Sequence, residues 1–200
     1  MRGKLWLTYF TRLIDVAYQR WDPQGHRQWQ DPEWTQFLRE VMEGIGSEMD
    51  CHVVKRQSRT SNDSYEYLNI DAMFIDNTEY DLAEEGNAKY DPFVLPRVVI
   101  ELENNSDCQR ISYCLWKILC VRSRIRVLIC YQKNRDDVNS LRGRLEEVIW
   151  QGSLMKGTDG DLLIIIDDES VESKASWGDY FSVYEWRSDR LERIDGLAWA

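Results

Sequence analysis

The apolar pattern of this chain predicts an α/β fold, a mixed β-sheet flanked by helices, and three observations carry that prediction. Two stretches of helical period come first. Apolar, β-branched runs of strand length begin at Cys51. A strand, helix and strand then follow one another from Val98 to Tyr131, which implies a parallel pair with a right-handed helical crossover. The 200 residues are enough to bury a core without metal or disulfide staples, and one domain is expected. Within it, residues 1–48 are a helical part laid on the sheet, 49–132 a central core, and 133–200 an additional helix and strands.

In the opening MRGKLWLTYFTRLIDVAYQRW, Leu5, Tyr9, Leu13, Val16 and Ala17 recur at helical spacing, so the stretch reads as an amphipathic structural helix. Asp31 with Pro32 behind it starts a second helix through Phe37, Leu38, Val41 and Ile45, because Asp caps well and Pro suits the first helical position. WDPQGHRQWQ between them is a turn-rich connector. Trp6, Trp21, Trp29 and Trp34 are expected to hold the helices together, since large aromatics mostly serve cores. CHVVKR, YEYLNIDAMFID and PRVVIELE then read as three strands, and the acidic segment 76–93 between the last two as a loop. Ser106 is a plausible cap for the helix that places Ile111, Cys114, Leu115, Ile118 and Leu119 at helical spacing. IRVLICYQ is apolar almost throughout, as a strand covered on both faces should be. RDDVNSLRGRLEEVIW gives another helix, and DLLIIID and YFSVYEW two more strands. The predicted order is α, α, β, β, β, α, β, α, β, β.

Net charge is −10, which disfavours a broad nonspecific grip on nucleic acid while leaving room for a local basic patch. Five cysteines, Cys51, Cys108, Cys114, Cys120 and Cys130, contain no CxxC pair, and His26 and His52 lie far from any cysteine pair. Zinc and a disulfide framework are both disfavoured; reduced buried thiols and a cytoplasmic setting are expected. No apolar run approaches the roughly 20 residues of a membrane span, so no membrane partner is expected.

The strand VVIELENNSD raises the chemical question. Residues two apart share a strand face, so Glu101 and Glu103 point with Val99, while Val98, Ile100 and Leu102 point the other way. On the preceding strand the same arithmetic sets Asp71 on one face and Ile70 and Ala72 on the other. Three carboxylates brought together would raise one another's pKa unless a positive charge sits among them, and Mg²⁺, held by carboxylates, waters and phosphate oxygens, is an economical one. The alternative is structural: strand-end glutamates reaching solvent, and Asp71 in a turn or paired with Arg97 or Lys117.

Asp71, then a strand ending Glu101-x-Glu103, a helix and a buried strand together resemble the PD-(D/E)xK superfamily of nucleases. The resemblance implies a restriction-endonuclease-like core, α-β-β-β-α-β, over about Pro32 to Gln132. It implies metal-binding carboxylates at Asp71 and Glu101, with Mg²⁺ or Mn²⁺ as cofactor. Glu103 takes the place usually held by lysine, and Lys117 on the next helix is placed to supply the missing cation by folding back. No Pro precedes Asp71. The superfamily's first helix often adds a glutamate, for which Glu40, Glu43 and Glu48 are candidates. The implied function is metal-dependent phosphodiester hydrolysis, with Glu103 taking the proton of the attacking water and Lys117 or an arginine offsetting charge on the phosphate. The rival is a catalytically inactive nuclease-fold module that binds protein or nucleic acid. DNA is the expected polyanion, a second copy or another protein remaining open as partner. It would be met by Lys55, Arg56 and Arg59, by Asn104 and Asn105, or by Arg122, Arg124, Arg126, Lys133 and Arg135; the asparagines also suit a plain turn.

Overall fold

The computed structural model describes residues 2–21, 31–55, 70–78, 95–156, 159–168 and 181–194. Helices α1 (Arg2–Trp21) and α2 (Asp31–Glu48) precede three strands, β1 (Cys51–Lys55), β2 (Ala72–Asp76) and β3 (Val98–Glu103). Helix α3 (Cys108–Cys120) leads to β4 (Ile125–Gln132), and α4 (Arg135–Gly152) to β5 (Asp161–Asp168). A hairpin, β6 (Phe181–Arg187) and β7 (Arg190–Arg193), follows. All seven strands join one sheet in chain order. The outer pairs are antiparallel, whereas β3–β4 and β4–β5 are parallel, so the two helical crossovers α3 and α4 fall where parallel pairing demands them.

The molecule has three layers. On one side α1 and α2 bury Trp6, Phe10, Phe37 and Ile45 against Phe74, Ile100, Val127 and Ile165. On the other, α3 and α4 bury Ile111, Leu115, Leu141 and Leu145 against Val99, Leu128, Cys130 and Ile164. β4 lies under both layers and all eight of its residues are buried, as its apolar run predicts. Each fully buried aliphatic or Phe side chain contributes about 1.5–3 kcal/mol. Trp34 stacks on Phe37 and donates its Nε1 hydrogen to the Tyr131 hydroxyl, fixing α2 to the end of β4. Near the start of α1, Gly3 donates its amide to Asp161 Oδ2 at 2.6 Å, satisfying a first-turn donor with a carboxylate from the start of β5.

Four details differ from the sequence expectation. The fully buried stripe of α1 is Trp6, Leu7, Phe10 and Ile14; Tyr9, Leu13 and Ala17 pack half-buried against the same core as expected, while Leu5 and Val16 are exposed. The stripe carrying Trp6 and Phe10 has the larger surface to remove from water and takes the centre of the contact. Asp107, not Ser106, caps α3, its carboxylate accepting from Gln109 N at 2.8 Å. β2 begins at Ala72, and Ile70 packs with Val99 on the α3 side, because the alternation does not extend back through the bend at Asp71. β7 is an additional strand: RLER has one apolar residue, and its hairpin turn is Ser188-Asp189, both at positive φ, rather than the Asn-Gly that announces such a turn. Trp21 and Trp29 as packing residues, and all but the first three residues of segment 76–93, lie outside what is described. All five cysteines are free, and no helix among the described residues is long and apolar enough to cross a membrane.

Candidate active site

β3 alternates as the sequence requires. Val98 and Ile100 belong to the α1/α2 core and Leu102 packs against it, whereas Val99 belongs to the α3/α4 core. In the parallel register Glu101 lies beside Leu128 and Glu103 beside Cys130, toward the carboxyl ends of β3 and β4. That end of an open α/β sheet is where ligand sites gather. Asp71, in the bend before β2, is tied to the same place by two bonds. Leu102 N donates to Asp71 Oδ2 at 2.9 Å, and Asp71 N donates to Glu101 Oε1 at 3.3 Å.

Lys117 reaches this pair from α3. Its ammonium is 2.6 Å from Glu101 Oε2, and both residues are deeply buried, Lys117 at 6% and Glu101 at 1% exposure. Burial first, then the negative charge of Asp71, pushes the Glu101 carboxyl up to about 7, although Lys117 pulls the other way. Glu103 is half-buried, one position nearer the strand end on the same face. Its Oε1 accepts from Asn105 N at 2.9 Å, and Oε2 from the Cys114 thiol at 3.6 Å. Burial and the neighbouring Glu101 raise the Cys114 thiol far above its ordinary value, so it acts as a protonated donor and not as a nucleophile.

Asp71, Glu101 and Lys117 therefore meet, with Glu103 alongside. Asn105 builds the turn into α3, its Oδ1 accepting from Asp107 N at 2.8 Å. Asn104 turns to the other layer and donates to Thr35 Oγ1 on α2 at 2.8 Å. Lys55 forms an ion pair with Glu43, and Glu48 pairs with Arg12 at 2.7 Å; α2 lies against the opposite face of the sheet from Glu101, away from the carboxylates. Arg56 and Arg59 lie outside the described residues. The second basic group is split. Arg122 and Arg124 precede β4 and so sit at the far end of the parallel strands, Lys133 and Arg135 follow it at the carboxylate end, and Arg126 is buried. Arg135 donates to Ser182 Oγ at 2.7 Å. From the sequence Cys114 reads only as a core thiol, and Gln109-x-x-x-Tyr113 follows the carboxylates too closely to count as a motif pair. The ring of Tyr113 lies 5.7 Å from the Lys117 ammonium. Their spacing was the available signal, since positions four apart on a helix are neighbours.

Could a divalent cation be held here? Among the described residues no group of three or more His, Cys, Asp and Glu side chains is arranged as a metal cage. Mg²⁺, however, commonly takes one or two carboxylates and completes its shell with water and phosphate oxygens. Asp71 and Glu101 are oxygen donors of that kind, and the raised Glu101 carboxyl is what an added positive charge would relieve. The pair fits. No known protein-family model matches the chain, and no curated protein matches it either.

Proposed function

We propose that this chain is a metal-dependent nuclease-like protein that hydrolyses phosphodiester bonds of nucleic acid, with DNA as expected substrate. The run α2, β1, β2, β3, α3, β4 follows the order of a restriction-endonuclease-like core. One observation carries the reading: an Asp and a Glu from adjoining chain segments meet at the carboxyl end of β3 with a buried lysine ammonium on the glutamate. The lysine comes from α3, not from the position held by Glu103. Asp71 and Glu101 would hold Mg²⁺ or Mn²⁺, which when bound polarises a phosphoryl oxygen and acidifies water. The chain's own groups do the rest. The Leu102 amide orients Asp71, the Asn105 amide and Cys114 thiol fix Glu103 to accept the water proton, and Lys117 offsets charge developing on the phosphate.

A second reading, an inactive nuclease-fold module for protein or nucleic-acid binding, is favoured by one fact. Both Glu101 oxygens are already engaged by the chain, Oε1 by Asp71 N and Oε2 by Lys117. The two readings separate on incubation with plasmid, linear and single-stranded DNA under Mg²⁺ or Mn²⁺, beside a Glu101→Gln control. Metal-dependent cleavage lost by at least about a hundredfold in the control supports the enzyme. No cleavage by the parent, together with no Mn²⁺-induced rise in melting temperature, establishes the module.

A further inference from the structure

In a chain of net charge −10, residues 108–135 contain seven cations, Arg110, Lys117, Arg122, Arg124, Arg126, Lys133 and Arg135, and no Asp or Glu. α3 opens this segment. Its inner face serves the core, and its outer face carries two large aromatic rings left in solvent, Tyr113 at 58% and Trp116 at 44% exposure. They stack on each other with centroids 5.8 Å apart and planes 22° from parallel. Exposed Arg110 lies one turn before Tyr113. On the inward side the Tyr113 ring borders the Lys117 ammonium, which also pairs with Glu101. A ready-stacked aromatic pair, with exposed Arg110 one turn away and the Lys117 ammonium of the carboxylate site 5.7 Å from the Tyr113 ring, has the chemistry that holds unpaired nucleotides: π-faces for bases and positive charge for the phosphates. A duplex hides its base faces and could use only the cations.

We infer that the outer face of α3, Arg110, Tyr113 and Trp116, is a base-stacking platform that selects single-stranded nucleic acid and leads its backbone to the Asp71–Glu101–Lys117 site. The inference rests on the nuclease reading for its direction of travel, but the platform itself is tested without cleavage. The probe is a fluorescein-labelled oligothymidine, compared with a duplex of the same length by anisotropy in EDTA, using the intact chain and the variants Tyr113→Ala, Trp116→Ala, Tyr113→Phe and Trp116→Phe. Both rings are exposed, so the alanine variants should keep the parent's melting temperature. The expected result is tighter binding of the single strand. Each alanine should weaken it about tenfold while the phenylalanine variants hold it within about threefold, as ring stacking requires. Arg110→Gln should lower the salt dependence of binding. Equal affinity for duplex and single strand, unchanged affinity in both alanine variants, or no binding of oligothymidine at all overturns the platform. Ring-dependent binding without Mg²⁺-dependent cleavage keeps the platform and removes the nuclease; cleavage indifferent to both rings does the reverse.

Discussion

Lys117 and Arg126 are both buried cations, on successive elements of one crossover, and they are satisfied in opposite ways. Arg126 donates from Nε and Nη2 to Val121 O at 3.2 and 2.9 Å, and from Nη1 to Asp159 O at 3.2 Å. Its partners are uncharged carbonyls in the loops that enter β4 and β5. There the two backbones run so close that a Cβ on Gly160, at φ +112°, would come within 2.6 Å of Arg124 O. Lys117 instead meets a carboxylate that has a second carboxylate behind it. Carbonyl dipoles satisfy a charge without adding a titratable partner, so the Arg126 end of the sheet is a staple. Paired carboxylates make the Lys117 end responsive to protons.

The sharpest way to break that contrast is Lys117→Met. Removing one member of a buried pair strands the other wherever it is ionised, so the expected loss is about 3–5 kcal/mol in denaturant unfolding well above pH 7 and smaller below it, where Glu101 takes up a proton. Combining it with Glu101→Gln should be milder than Lys117→Met alone, since no buried charge is then stranded in the pair. A loss under about 1 kcal/mol in Lys117→Met would make the ion pair an idle one. Next in size is a pH effect. The Glu101 carboxyl rises from 4.5 to about 7 on folding, so the native state holds a proton there that the unfolded chain has released. The stability it contributes is full below the unfolded value and is lost as pH rises through about 7, by at most about 3 kcal/mol. Unfolding of metal-free protein across this window should show that fall, and Glu101→Gln should flatten it; an equal fall in the variant assigns it elsewhere. Smallest is Arg126→Met, expected to cost about 1–3 kcal/mol for the unpaired carbonyls, with the same loss at acid and alkaline pH. A loss that varied with pH would erase the distinction between the two ends.

Much of the architecture was legible because its signals were strong. The nearly all-apolar IRVLICYQ reads as a strand covered twice, and the alternation in VVIELE sets Glu101 and Glu103 on one face with Val99; which helix layer covers that face is given only by the structure. Lys117 could be placed because β3, a short turn and a helix constrain where its third turn falls. The failures share a cause, a local pattern with two physical solutions. The apolar face of α1 is wider than one stripe, and only the sheet beneath decides that its centre is Trp6 and Phe10 while Leu5 and Val16 fall outside it. Arg126 looks like one of a string of surface cations, yet alternate residues of a strand covered on both faces have nowhere to point but inward. Ser106 and Asp107 are both good caps, and the turn made by Asn105 selects Asp107. RLER carries too little apolar surface to be recognised without β6 beside it.

The bond from Gly3 to Asp161 has a consequence for how the protein is made. Its partners are 158 positions apart, so a nascent chain exposes the aromatic stripe of α1 long before the strand that anchors it has been synthesised. Assembly of the α1 side is therefore completed only after β5 has been made, and until then the aromatic stripe of α1 lacks that part of its cover.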